Sequence, residues 1–270
     1  MTTVVVDIGN ARVKWARAER GKILSPGHAL HGGATAAAID SLAAALPEHV
    51  ERVVVANVAG EALAAALAAF TARRFGVEPE LVETAAETLG VRCGYRDPSR
   101  LGVDRWVAVI AAHRSAARHR GKATPACVIN AGTALTFDAV DGGGQHLGGL
   151  ILAGPRIAAA ALACSTQRIG ETSLAAERPE GLGVLGRSTD EAVGHAAWLA
   201  PAAAFDRVVG IVAHELGERP AVFLAGGDAP LLAPWLETAA QLKADFVLEG
   251  LALIAAETPP GGRGAVHSTR

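Results

Sequence analysis

Apolar and polar positions fall into short runs separated by turn residues. Val4-Val5-Val6 is an unbroken β-branched run that ends on Asp7, Ile8 and Gly9. A polar Asn10 follows, and the chain becomes apolar again after Arg12, Val13 and Lys14. This pattern predicts a buried strand, a tight turn and a returning strand. Residues 22–30 predict a third strand. Residues 35–46 predict a helix, with Thr35 as its cap and Pro47 just beyond it. A strand over 52–57, an alanine-rich helix over 60–74 and a short strand over 80–83 complete a β-β-β-α-β-α-β order.

Residues 84–105 break this rhythm. Gly90, Gly94, Tyr95, Asp97, Pro98 and Gly102 give the stretch the composition of a loop. A loop this long in a compact chain is functional or disordered. A helix is predicted over 103–118, so Asp104 falls in its first turn, where the helix dipole favours a carboxylate. Residues 118–124 are polar and basic and Pro125 closes them, which divides the chain into domains at 1–118 and 125–257. The second half predicts strands at 126–130, 133–140 and 145–152, then a helix with Pro155 in its first position. Residues 165–186 read as loop. Two helices follow, one from Ser188 or Thr189 to Pro201 and one over 202–216. A strand over 220–224, a helix over 231–241, a short strand and a last helix over 246–256 precede a tail, 258–270, expected to be disordered.

The pattern at the start returns in the second half. Val128-Ile129-Asn130-Ala131-Gly132-Thr133 is again an apolar run, a polar residue, a glycine and a second strand, so Asp7-x-Gly9 is answered by Asn130-x-Gly132. Glycine in such a turn lets backbone N–H groups approach a ligand, and a cradle of them binds phosphate oxygens. Lys14 adds a point charge, and Asp7 at a strand end suits Mg²⁺ or a metal-bound water. Either copy alone is also compatible with an ordinary hairpin. Two copies point to two similar domains with a nucleotide cleft between them, the logic of the actin, sugar-kinase and Hsp70 folds. The expected class is α/β, built from two ribonuclease H-like (actin-like) domains.

Composition narrows the function. Half of the 270 residues are hydrophobic and the net charge is −2, with Lys and Arg dispersed, which argues against a nucleic-acid surface. Cys93, Cys127 and Cys164 show no C-x-x-C spacing and read as reduced thiols of a cytoplasmic protein. The first residues read as a strand, so no signal peptide is expected, and no run is expected to reach the roughly 18 apolar residues of a membrane span. The nine histidines form no metal spacing and are expected mostly at the surface. Gly181-x-Gly183-x-x-Gly186 matches a dinucleotide fingerprint in letters, but Glu177-Arg178-Pro179-Glu180 before it is not a strand.

Four residue sets together resemble the type III pantothenate kinases. They are Asp7 to Lys14, then Gly94-Tyr95 with Gly102-Val103-Asp104-Arg105, then Asn130 to Asp138, and Gly148-Gly149-Leu150-Ile151. Thr189, Gly226-Gly227 and Asp245 to Leu251 add to the set, which spans nearly the whole chain in order. The resemblance implies ATP- and Mg²⁺-dependent phosphorylation of pantothenate to 4′-phosphopantothenate, the first step toward coenzyme A, by a cytoplasmic homodimer. It implies an ATP site at Asp7, Ile8, Gly9, Asn10, Ala11, Arg12, Val13 and Lys14, with Gly132 and Thr133 on phosphates and Gly226 and Gly227 near the adenosine. Tyr95, Gly102, Val103, Asp104, Arg105 and Thr189 would bind pantothenate. Asp104 would take the proton of its primary hydroxyl, and Arg105 would fork its carboxylate. No nucleic-acid or membrane partner is implied.

The chain departs from the family at two points. Asn130 stands where the family usually carries an Asp that helps hold K⁺ or NH₄⁺, and an amide offers an oxygen without a charge. The family's Pro-Gly appears here as Ala153-Gly154-Pro155, which implies a local change at the helix start. Two other functions remain open to the sequence: a nucleotide-binding transcriptional accessory protein without turnover, and another actin-like phosphotransferase. Asp7, Lys14, Asp104 and Arg105 favour catalysis over the first, and the Gly94-Tyr95 loop favours pantothenate over the second.

Overall fold

The computed structural model describes all residues except 32–33, 121–122, 176, 261–265 and 269–270. The chain forms two compact units, one of residues 1–115, 144–146 and 245–270 and one of residues 116–143 and 147–244.

The first unit opens with β1 (Thr3–Ile8), β2 (Arg12–Glu19) and β3 (Lys22–Leu30). It continues through α1 (Thr35–Ala45), β4 (Arg52–Asn57), α2 (Glu61–Phe75) and β5 (Glu80–Val82). Strands run β5-β4-β1-β2-β3 across the sheet, with β1 antiparallel to β2 and parallel to β4. Val4, Val5 and Val6 are each wholly buried, as a run covered on both faces of a sheet must be. Each contributes on the order of 2 kcal/mol by leaving water. The core gathers Val4, Val6, Val53 and Val55 with Leu42 of α1 and Leu67 and Phe70 of α2. Thr35 does not cap α1: Ala34 holds the cap position and provides no side-chain hydrogen bond.

The stretch 84–105 is more ordered than its composition suggests. It holds a small hairpin, β6 (Glu87–Thr88) and β7 (Val91–Arg92), and a 3₁₀ turn at Pro98–Arg100. The Asp97 carboxylate accepts from the Ser99 hydroxyl at 2.7 Å and the Ser99 amide at 3.0 Å, and these bonds hold its pKa below the ordinary value. Helix α3 (Val103–Arg120) follows.

The second unit repeats the sheet of the first. It is built from β8 (Ala126–Ala131), β9 (Ala134–Val140), β10 (His146–Ala153), α4 (Pro155–Ser165), α5 (Thr189–Leu216), β11 (Ala221–Ala225), α6 (Ala229–Leu232) and β12 (Gln241–Lys243). Strands run β10-β9-β8-β11-β12, with β8 antiparallel to β9 and parallel to β11. This is the β3-β2-β1-β4-β5 order of the first sheet. Trp198, Phe205, Phe137 and Leu224 are central to its core.

Two helix expectations change here. Pro201 does not divide α5, which runs unbroken over 28 residues. A proline inside a helix costs about 3 kcal/mol. Burial of Trp198, Ala202 and Phe205 along one stripe offsets that cost. The same helix is long and apolar enough to cross a membrane by length and composition, contrary to the reading that no run reaches that length. Trp198, Ala202, Phe205 and Val209 lie in the unit's core, as expected of a core helix. The helix expected over 231–241 stops at Leu232, and a 3₁₀ turn at Ala233–Trp235 follows. Pro234 removes a donor there, and Asp206 accepts from the Glu237 and Thr238 amides at 2.9 and 2.9 Å, favouring the non-helical path.

The last helix, α7 (Phe246–Glu257), belongs to the first unit rather than to a domain ending at 257. It packs on β1, β2, β3 and β4. The buried Arg52 fixes its end, donating to the Ala255 carbonyl at 2.7 Å and the Thr258 carbonyl at 2.8 Å while pairing with Glu80 at 2.7 Å. Within the tail expected to be disordered, β13 (Val266–Ser268) pairs antiparallel with β5, which corrects that expectation for these residues. Residues 261–265 and 269–270 of that tail lie outside the described residues.

Candidate active site

In the first unit, β1 delivers Asp7 to its C-terminal end and β2 places Lys14 directly across from it. The turn between them closes with the Gly9 amide donating to the Arg12 carbonyl at 2.9 Å. Asn10 and Ala11 form its exposed apex. Ile8 and Val13 are almost wholly buried, so they offer a ligand main chain only.

Four charges meet behind this turn. Lys14 Nζ lies 3.2 Å from Asp245 Oδ1, with the two side chains 19% and 24% exposed. Asp7 feels both Asp104 and Asp245. Its pKa is pushed up to about 7, first by burial and then by the negative charge of Asp104, with Asp245 adding to the rise and Lys14 opposing it. Asp245 arrives from the residue just before α7, a distance in sequence that motif reading did not bridge. No group of three or more His, Cys, Asp or Glu placed to hold a metal occurs among the described residues.

Asp104 sits in the first turn of α3, where its Oδ1 accepts from the Arg105 amide at 2.8 Å. Gly102 makes room for this arrangement, since a Cβ there would stand 2.8 Å from Asp104 Oδ1. Arg105 is buried and donates to the Tyr95 hydroxyl at 3.0 Å, with its guanidinium 5.7 Å from the Tyr95 ring centroid. Tyr95 also stacks on His146 at 5.9 Å, and His146 Nδ1 accepts from the Gly94 amide at 3.3 Å. His146 and His31 are 1% and 7% exposed, two exceptions to the expectation that the histidines lie mostly at the surface.

In the second unit, Asn130 ends β8 as Asp7 ends β1, and the Gly132 amide donates to the Ala134 carbonyl at 3.2 Å. Gly226 lies against this turn. Its φ is +97°, and an added Cβ would stand 2.1 Å from the Ala131 carbonyl, so only glycine fits. The Asp228 amide also donates to that carbonyl at 3.0 Å. Gly226-Gly227 is thus joined to the Asn130–Thr133 turn within one unit. Thr189, exposed in the first turn of α5, also belongs to the second unit.

The sequence profile described as type III pantothenate kinase matches residues 3–210. The chain belongs to the type III pantothenate kinase family. A relative of that name from Nitrosococcus oceani is 35% identical over 257 residues, covering 94% of each chain. One from Aromatoleum aromaticum is 38% identical over 255 residues, covering 94% of this chain and 98% of its own. Among solved structures, the ethanolamine utilization protein EutJ of Carboxydothermus hydrogenoformans is similar with a TM-score of 0.51 and 15% identity, covering 94% of this chain and 90% of that one. That likeness concerns the fold alone. A type III pantothenate kinase acts on an alcohol group.

Proposed function

We propose that this chain transfers the γ-phosphoryl group of ATP to the primary hydroxyl of pantothenate, giving 4′-phosphopantothenate. The observation that carries the reading is the meeting of Asp7, Lys14 and Asp104 behind one glycine turn, with Arg105 and Tyr95 beside it. Lys14 and the amides of the first turn take phosphate oxygens. The second unit carries a like turn at Gly132-Thr133, against which Gly226-Gly227 packs, and its amides suit an anion in the same way. Asp7 would hold Mg²⁺ directly or through water, and that ion would supply charge neutralisation at the phosphoryl group. Asp104 accepts the proton of the attacking hydroxyl, while Tyr95 and the Arg105 guanidinium orient pantothenate, with Val103 contributing to its site. Phosphoryl transfer depends mainly on such alignment and charge neutralisation.

Asn130 leaves the second turn without a carboxylate, so K⁺ or NH₄⁺ binds weakly and supports turnover only modestly. Exposed Leu150 and Ile151 on β10 and Ile157 and Leu162 on α4 support a homodimer, which sedimentation tests. The cysteine pattern supports a cytoplasmic location. The deciding experiment is ADP release from Mg·ATP with and without pantothenate, with the phosphorylated product identified by mass. ATP binding with no pantothenate-dependent ADP under any cation would favour the accessory-protein reading.

A further inference from the structure

His31 follows β3 and is almost wholly buried against the first glycine turn. Its ring Nε2 lies 2.8 Å from the Gly9 carbonyl oxygen. A carbonyl can only accept, so Nε2 carries the proton and donates it. The His31 main-chain amide donates to the Ala11 carbonyl at 3.1 Å. One residue thus holds two alternate carbonyls of the same four-residue turn. In a trans peptide the C=O and the next N–H point in opposite directions. Drawing the Gly9 carbonyl toward His31 aims the Asn10 amide away from it, and the second bond anchors the turn at Ala11. The direction of the Asn10 amide is therefore set by His31 before a ligand arrives.

We infer that His31 is a positioning residue for nucleotide phosphate, acting through the turn's backbone without touching the ligand. The inference rests on the proposed role of that turn in ATP binding. Preorganised donors bind an anion without the entropy cost of being ordered first. Without the ring bond, the Gly9–Asn10 peptide can rotate, and the Asn10 amide is no longer fixed toward the phosphates. Leucine at 31 removes the donor and keeps the bulk. Glutamine places an N–H close to the reach of Nε2, whereas asparagine is too short to do so.

The experiment is calorimetric titration of wild type, His31→Leu, His31→Gln and His31→Asn with Mg·ATP and, separately, with pantothenate, alongside thermal unfolding. Loss of one orienting hydrogen bond predicts roughly five- to tenfold weaker ATP binding in His31→Leu and His31→Asn. His31→Gln should stay within about threefold of wild type, since it retains the bond. Pantothenate affinity should hold in all four proteins. If His31→Leu does not fold, the Gln and Asn pair carries the same contrast. Wild-type ATP affinity in the folded Leu or Asn variant overturns the inference, as does equal weakening for both ligands. A wild-type protein that binds no ATP would overturn the nucleotide role of the turn itself, a separate result.

Discussion

Lys14 on the second strand and Asp245 at the start of the last helix form an ion pair at 3.2 Å across 231 residues of sequence. The pair lies beside Asp7, and its members act on that carboxylate in opposite directions: Lys14 lowers its pKa and Asp245 raises it. Asp245→Asn removes a negative charge that raises the Asp7 pKa, so the Asp7 titration midpoint should fall from about 7. Carboxyl carbon NMR across a pH series measures this, and an unchanged midpoint would show that the pair does not control Asp7.

Asp7 also makes the ligand-free protein sensitive to pH. Its folded pKa of about 7 exceeds the ordinary 3.8, so between these values the folded state holds a proton that the unfolded chain releases. Stability from this group is complete below the lower value and declines as pH rises through the upper one. The decline should be on the order of a few kcal/mol, at roughly 1.4 kcal/mol for each pH unit that separates the two values. Urea unfolding of ligand-free wild type and Asp7→Asn between pH 4 and pH 8 tests it. The variant should lose most of the slope, and parallel curves would exclude Asp7 as its source.

Asp104→Asn keeps the side-chain shape and removes the proposed base. Turnover should fall at least about 10²-fold while ATP affinity is maintained. Gly102→Ala reaches the same carboxylate from its neighbour: the new Cβ, 2.8 Å from Asp104 Oδ1, must displace it. Only the end of a flexible side chain has to move, so thermal stability should change little while kcat falls. Near-normal turnover in a folded Asp104→Asn protein would transfer the base role to another group.

Asn130→Asp returns a carboxylate to the second turn. Activity of the variant should depend more steeply on K⁺ or NH₄⁺ than that of wild type, which a cation titration at fixed ionic strength would show. Identical responses would remove position 130 from cation binding.

Local chemistry revealed much of this molecule before its structure did. The strands over 22–30 and 52–57 and the paired glycine turns follow from short apolar runs and their punctuation. The continuous α5 did not, because proline's local cost was visible and the buried Trp198–Phe205 stripe that offsets it was not. His31 and His146 resembled surface histidines because their partners, Gly9 and Tyr95, lie 22 and 51 positions away. Asp245 was legible as part of a motif, but its pairing with Lys14 depends on α7 returning to the first sheet. No window of neighbouring residues contains that information.

The return of α7 sets an order of assembly. Residues 1–115 emerge from the ribosome long before residues 245–270, yet both belong to one compact unit. The nascent first sheet must wait, with the face that Leu251 and Ile254 will cover still open to water. The intervening unit, nearly contiguous in sequence, needs nothing from residues 245–270 to close its own core, whereas the first unit waits for them. Such long-range closure slows folding and lengthens the exposure of apolar surface. A chain cut short at Ala244 would lack the Asp245 counter-charge and the carbonyls that Arg52 grips at the same time. Synthesis thus withholds the charge setting of the first glycine turn until Asp245 has been made.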